Sequence, residues 1–296
     1  MKHTFSTLIC LGLLLFVNVG LLGALEIELT GGVNNMTFHP DRITAHSVST
    51  NYKKFQNYPY GFGDLHFKGE ISDKMDFDIN LSRDNILHNT FSGKIKTTSD
   101  YVNIEFGTFF GITDDFGKPE TGFVGNIQLA YPGIIFFSVG GSSSMGTSFN
   151  FLSNNTRETY EVKVGLWLPG IIPSLSVNSK NYSKHLEDSI LIHDELTRIQ
   201  LSIDLFAKNS TIILTFDAGF ETLARSYISD YYAEIKDELT AVFLGANIQW
   251  QITKPLRLIM GFEIPFSFKA TAPMTDPDDR FKLYKFSGGI SYTFFN

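Results

Sequence analysis

The chain of 296 residues predicts an all-β fold: a closed antiparallel transmembrane barrel of about fourteen strands, with a range of 12 to 16 set by the uncertainty of strand boundaries read this way. Three observations carry that prediction. Apolar and polar residues alternate with a period of two from residue 25 onward, the signature of a strand with one greasy and one wet face. No apolar run in that stretch approaches the roughly 18 residues of a membrane helix. Short turns and long polar stretches take strict turns along the chain, so one end of the sheet collects the short ones.

Composition narrows the function classes. With 43% hydrophobic and 19% charged residues, 28 Phe, 12 Tyr and 25 Gly, the chain is neither disordered nor collagen-like. Its single Cys, Cys10, excludes a disulfide scaffold. A net charge of −7 supplies no basic field for a phosphate backbone and argues against nucleic acid as a partner.

Residues 1–24 read as an export signal. Lys2 precedes the apolar run from Leu8 to Val17, and small Gly23 and Ala24 stand near the expected cut. Residues 25–296 then form one barrel domain.

The strands follow in order, with centres near 29, 66, 79, 93, 105, 127, 137, 163, 177, 201, 215, 247, 261 and 288. In the third, Met75, Phe77, Ile79 and Leu81 alternate with Asp76, Asp78, Asn80 and Ser82. In the twelfth, Val242, Leu244, Ala246, Ile248 and Trp250 oppose Phe243, Gly245, Asn247, Gln249 and Gln251. The last places Tyr284, Phe286, Gly288, Ile290, Tyr292 and Phe294 on one face and Lys285, Ser287, Gly289, Ser291 and Thr293 on the other. Tight links are expected near 72–74, 97–100, 132–133, 169–173, 208–210 and 253–254, where Gly, Pro, Asp and Ser favour turns. Long stretches are expected at 38–58, 84–89, 111–121, 140–157, 183–195, 220–238 and 270–279. A soluble sandwich has no reason to sort its loops by end, whereas an outer-membrane barrel keeps short turns on the periplasmic side and long loops outside. Hydrocarbon also demands that every N–H and C=O be paired, which a sheet achieves only by closing.

On these strands, this loop asymmetry and the aromatic-ended segment Tyr292-Thr293-Phe294-Phe295-Asn296, the chain resembles bacterial outer-membrane β-barrel proteins, in particular porin-like channels of about fourteen strands. The resemblance covers 25–296. It implies residence in the outer membrane, contact with its lipid, and recognition of the last strand by the barrel-insertion machinery. Asn296 after the final Phe departs from that family's terminal aromatic. Outward aromatics expected at the headgroup boundaries are Phe110, Phe123, Tyr131, Tyr160, Trp250, Phe268, Phe281 and Tyr292.

The opposite face carries the function. Expected to line the lumen are Asp64, His66, Lys68, Asp76, Asp78, Lys94, Lys96, Glu105, Glu161, Lys163, Arg198, Asp204, Asp217, Arg257, Glu263 and Lys285, with Glu26, Glu28, Glu70 and Lys180 beside them. Acids outnumber bases on this wall. Barrels of about eight strands are filled by side chains and those of 16 to 18 leave an aqueous channel, so fourteen strands suggest a narrow wet path. The expected function is passive diffusion of small hydrophilic solutes or ions with a mild cation preference. Two alternatives stand beside it: charges that only pair across strands, as Lys68 opposite Asp78 would, and a surface adhesin or ligand-binding barrel with a closed lumen, whose loops carry Lys53, Lys54, Phe55, Tyr58, Tyr60, Tyr227, Tyr231 and Tyr232.

Enzymatic chemistry finds little footing. Asp64-Leu65-His66 and Asp76-x-Asp78 resemble the Asp-His and paired-Asp groups of omptin-like proteases, but they fall beside a short turn rather than at the outer rim. No His on a strand precedes a Ser by two residues, as an outer-membrane phospholipase requires. No glycine-rich phosphate loop opens a helix, and no cofactor is implied. His185, Glu187, Asp188, His193, Asp194 and Glu195 crowd one expected loop with no defined metal-ligand spacing. Uptake of apolar compounds is disfavoured by the polar wall.

Overall fold

The computed structural model of the chain describes residues 24–35, 60–112, 119–145, 155–186, 190–206, 211–229, 232–270 and 284–294. Most of the expected export segment, residues 1–23, lies outside them, as do residues 36–59, Tyr231, Phe281 and the last two residues; the side chains of Tyr227, Tyr232 and Phe268 lie outside the description too.

Fourteen strands form a single closed ring. They are β1 (Leu25–Asn34), β2 (Tyr60–Ser72), β3 (Met75–Asp84), β4 (His88–Thr97), β5 (Val102–Ile112), β6 (Glu120–Tyr131) and β7 (Ile135–Ser144). The second half comprises β8 (Thr156–Leu166), β9 (Ile171–Leu186), β10 (Ile190–Leu205), β11 (Ile212–Ser229), β12 (Tyr232–Gln251), β13 (Leu256–Ala270) and β14 (Lys285–Phe294). Each strand pairs antiparallel with its neighbours in sequence, and β1 closes on β14 with Leu25 opposite Phe294. No edge is left to carry unpaired backbone groups, the condition for placing a sheet in lipid.

Five of the six expected tight links join neighbouring strands at one end of the ring, and the sixth, 208–210, lies outside the described residues. Two of them turn on glycines in the left-handed region, Gly133 at φ 74° and Gly170 at φ 77°, a conformation that a Cβ penalises.

The opposite end differs from expectation. The stretches 84–89, 183–195 and 220–238 are largely ladder: β3 runs to Asp84 and β4 starts at His88, β9 runs to Leu186 and β10 starts at Ile190, and β11 and β12 leave only two residues between them. Four strands are consequently long, β9 and β10 with 16 residues each, β11 with 18 and β12 with 20. A membrane-crossing strand needs only about 9–11.

The outer face explains why the alternation fades there while the ladder continues. Val177, Ile199, Phe220 and Val242 pair in succession across β9 to β12, and all of them belong to the apolar exterior. Two residues further on, the next outward row is Ser179, Thr197, Thr222 and Thr240. Within that row Thr222 and Thr240 share a hydroxyl hydrogen bond of 3.2 Å, and beyond it Ser183 meets His193 Nδ1 at 2.8 Å. Once both faces are polar, a period-two signal vanishes although every backbone bond persists. Below that row the exterior is a continuous belt of exposed aliphatic and aromatic side chains, with Phe106 61%, Tyr131 61% and Leu244 54% accessible. Of the expected boundary aromatics, Phe110, Phe123, Tyr131, Tyr160, Trp250 and Tyr292 are exposed on this outer face.

Candidate functional site: the inner wall of the barrel

A side chain that reaches a strand other than its neighbours must lie inside the ring. Lys180 of β9 does so, donating from Nζ to Asp84 Oδ2 of β3 at 2.7 Å. Arg157 of β8 donates to the Asn89 carbonyl of β4 at 3.3 Å, and Arg198 of β10 forms a two-pronged contact with Glu263 of β13 at 2.6 and 3.1 Å. Strand alternation and register extend the inner face to every expected lumen residue. Asp76 and Asp78 share it with Asp84; Lys94 and Lys96 lie across from them on β4. Lys68 opposes Asp78, with His66 and Asp64 on the same side of β2. Glu105 opposes Lys96. Glu161 and Lys163 follow Arg157, Asp204 follows Arg198, Asp217 opposes Ser202, Arg257 precedes Glu263, and Glu263 opposes Lys285.

Seven of these sixteen residues are drawn together in two groups. On β2 to β5 a ladder runs from His66 to Asp78 (3.3 Å), from Asp78 to Lys94 (3.3 Å), from Lys94 to Glu105 (3.3 Å) and from Glu105 to Lys96 (3.6 Å). Lys68 opposes Asp78 in register as expected, yet its ammonium turns instead to Glu28 at 3.5 Å. Asp78 already holds His66 and Lys94, so the unengaged carboxylate on β1 is the better partner. On β10 to β13 Arg198 lies between Glu221 (2.9 Å) and Glu263, with its guanidinium 3.8 Å from the Phe243 ring centroid. A planar cation on an aromatic face with two carboxylates at its edge uses all of its binding directions.

Other wall residues stand outside ion pairs. Asp217 accepts from Gln200 and Ser202, both at 2.6 Å, and Asp204 from Thr215 at 2.7 Å. Asp64, Asp76, Glu161, Lys163, Arg257 and Lys285 make no ion pair among the described residues. A cavity of about 270 Å³ opens against this wall, lined by Lys94, Glu105, Asn126, Thr159, Glu161 and Lys180 among others.

The end of the barrel with the long strands carries residues that sequence reasoning did not select: Asp84, Glu120, Arg157, Glu221 and Arg225. Arg157 and Glu120 form a buried pair at 3.0 Å, each with a side chain 1% exposed. Asn155 donates to Glu120 Oε1 at 3.2 Å, and the Arg157 guanidinium lies 5.5 Å from the Tyr182 ring. Asp194, expected in an acidic solvated loop, is instead a β10 residue bound to two Arg225 nitrogens, at 2.5 and 2.7 Å. Its companion His193 points to the other face, and Glu187, Asp188 and the side chain of His185 lie outside the described residues. Among the described residues no group of three His, Cys, Asp or Glu is arranged to hold a metal.

The wall is also not polar throughout. Residues 85–87, expected within a polar stretch, carry Ile86 (1% exposed) and Leu87 (8%) into the barrel against Tyr182, Leu196, Leu223, Leu239 and Ala241. The sequence does hold a signal for this. An Ile-Leu pair at the tip of a turn would stand bare in water unless it folds inward.

No family model matches the chain, and no curated protein matches it. Solved structures do. An outer membrane channel from Pseudomonas putida F1 is 8% identical with a TM-score of 0.47, over 93% of this chain and 96% of that one. OmpT of Vibrio cholerae, folded in vitro, is 9% identical with a TM-score of 0.42, over 92% and 97%. An anion-selective porin from Comamonas acidovorans is 8% identical with a TM-score of 0.38, over 92% and 99%. The fold assignment rests on the chain's own closed strand order.

Proposed function

We propose, from the premise that the chain is a barrel of the bacterial outer-membrane type, that it is a channel through which small hydrophilic solutes or ions diffuse passively, with a mild preference for cations. One observation carries this reading: a closed ring whose described exterior is belted by exposed apolar side chains and whose inner wall carries charge. Charges on an inner wall are tolerable only where water or partners reach them, and several here have no ionic partner. Acids predominate in that set among the described residues: Glu26, Asp64, Glu70, Asp76, Glu161, Asp204 and Asp217 against Lys163, Arg257 and Lys285. Rings of like charge bias which ions enter.

The same reading has the apolar belt facing outer-membrane lipid, residues 1–24 removed on export, and the terminal aromatic strand guiding insertion. His66 and Asp78 do meet, but Asp78 is shared with Lys94, so the contact serves a charge ladder more readily than proton transfer.

Planar-bilayer recording tests the proposal. Refolded protein should give discrete current steps, and under a KCl gradient the reversal potential should have the sign of cation selectivity. Absence of current at any voltage from folded protein would overturn the channel reading; an anion-selective reversal potential would overturn the preference alone.

A further inference from the structure

The link between β3 and β4 is built to be held inside the barrel. Asp84 shapes it: Oδ1 accepts from the backbone N–H of Ile86 at 2.8 Å and of Leu87 at 2.5 Å, the self-made turn that Asp side chains favour. The three-residue link closes on His88, which takes φ 55°, the left-handed position that follows a tight three-residue turn. The other oxygen of the same carboxylate, Oδ2, takes the Lys180 ammonium from β9. β3 and β9 stand six positions apart in a ring of fourteen, so this contact reaches across the lumen and not along the wall. His88 adds an edge-on contact with the Tyr182 ring, also of β9, at 5.5 Å.

Between these polar contacts, the tip buries Ile86 and Leu87 against the inner faces of β9 to β12. These strands are the ones that rise beyond the polar boundary row, so the apolar cluster closes the mouth at the end where the wall stands tallest. On its other side the Arg157–Glu120 pair fills the gap towards β6 and β8, both side chains being fully buried. Leucine and isoleucine in a water-filled mouth would be an unfavourable exposure of apolar surface. Packed together, they exclude water from it.

We propose that the β3–β4 turn is a tethered plug: Ile86 and Leu87 close the long-strand end of the lumen, and the Asp84–Lys180 ion pair is the latch that holds them there. This rests on the channel reading and adds to it the element that limits flow. One carboxylate both forms the turn and latches it, so loss of Lys180 frees the tip without unmaking the turn. Solutes then pass at a rate set by how far and how often the tip leaves its apolar seat.

Two readouts test this in the full chain, one of them independent of conduction. In a Cys10→Ser background, Ile86→Cys is the only thiol, and its reaction with a water-soluble maleimide reports release of the tip. Adding Lys180→Met should accelerate that reaction about tenfold, as expected for loss of a partly buried ion pair, and Lys180→Met in the native chain should raise single-channel conductance severalfold. Leu87→Ser, which leaves the latch intact but weakens the seat, should also raise conductance, and it serves as a second variant should Lys180→Met fold poorly. Rapid labelling of Ile86→Cys with Lys180 in place would overturn the plug. Faster labelling with conductance unchanged in both variants would overturn its role in limiting flow, while the channel itself stands. Labelling that depends on Lys180 in a protein that never conducts would uphold the latch and overturn the channel reading.

Discussion

Removing the Arg157 guanidinium should destabilise the barrel more than removing both members of its ion pair. The side chains of Arg157 and Glu120 are each 1% exposed, and the guanidinium also donates to the Asn89 carbonyl and to Thr90 Oγ1. In Arg157→Met, Glu120 would keep only neutral donors, Asn155 at 3.2 Å and the Tyr182 hydroxyl at 3.5 Å. Breaking a buried pair from one side typically costs about 3–5 kcal/mol because a charge is left without its counterion. The paired variant Arg157→Met with Glu120→Gln removes that charge and should lose no more than about 1–2 kcal/mol, since replacing both partners is often close to neutral. The assay is urea unfolding from lipid vesicles, followed by the fluorescence of the two tryptophans, Trp167 and Trp250. Equal losses in the single and paired variants would refute the reasoning, as would a single-variant loss below about 1 kcal/mol, which is the scale of a solvent-exposed pair.

Three further outcomes follow from the geometry. Leu201→Arg, inside the apolar belt, should destabilise the lipid-embedded barrel by about 2–4 kcal/mol, whereas Thr197→Arg, in the first polar row on the same strand and face, should cost about 0–1 kcal/mol; the same vesicle unfolding assay measures both, and equal penalties would misplace the boundary. Arg198→Met should leave Glu221 and Glu263 without their shared cation and increase cation selectivity, read as a shift in reversal potential under a KCl gradient. Gly133→Ala should cost about 1–2 kcal/mol through backbone strain alone, because φ there is 74° and a Cβ would meet nothing within 4 Å; melting of the refolded barrel checks it.

Much of the wall is legible in the amino-acid sequence because alternation on a closed sheet leaves only two faces. Once Met75, Phe77, Ile79 and Leu81 belong to the outside, Asp76 and Asp78 have no other place than within. The Lys68–Asp78 register follows from counting back from the turn at 72–74 and is present. The ionic partners are not legible, since Lys68 turns to Glu28 and Lys94 to both Asp78 and Glu105. A flexible ammonium chooses among carboxylates on both adjacent strands, and register alone does not rank them.

The long-strand end is the least readable. Residues 183–195 and 220–238 lose their apolar alternation because the rows Ser179–Thr197–Thr222–Thr240 and above are polar outside. A pattern test takes such segments for loops. The interior there mixes the inward side chains of Leu196, Leu223 and Leu239 with ion pairs such as Arg225–Asp194.

Sequence by itself determined the two-faced strands and their number, because both depend on residues adjacent along the chain and on the two-residue repeat of a strand; it did not determine the loops at the opposite end, where three expected long stretches are mostly ladder. Only tertiary structure decided what fills the ring. Asp84 meets Lys180, Arg157 meets Asn89 and Arg198 meets Glu263 across gaps of 96, 68 and 65 residues. Contacts of that kind arise from closure, which sets distant strands face to face across a lumen narrow enough for side chains to bridge it, and no local pattern encodes that distance.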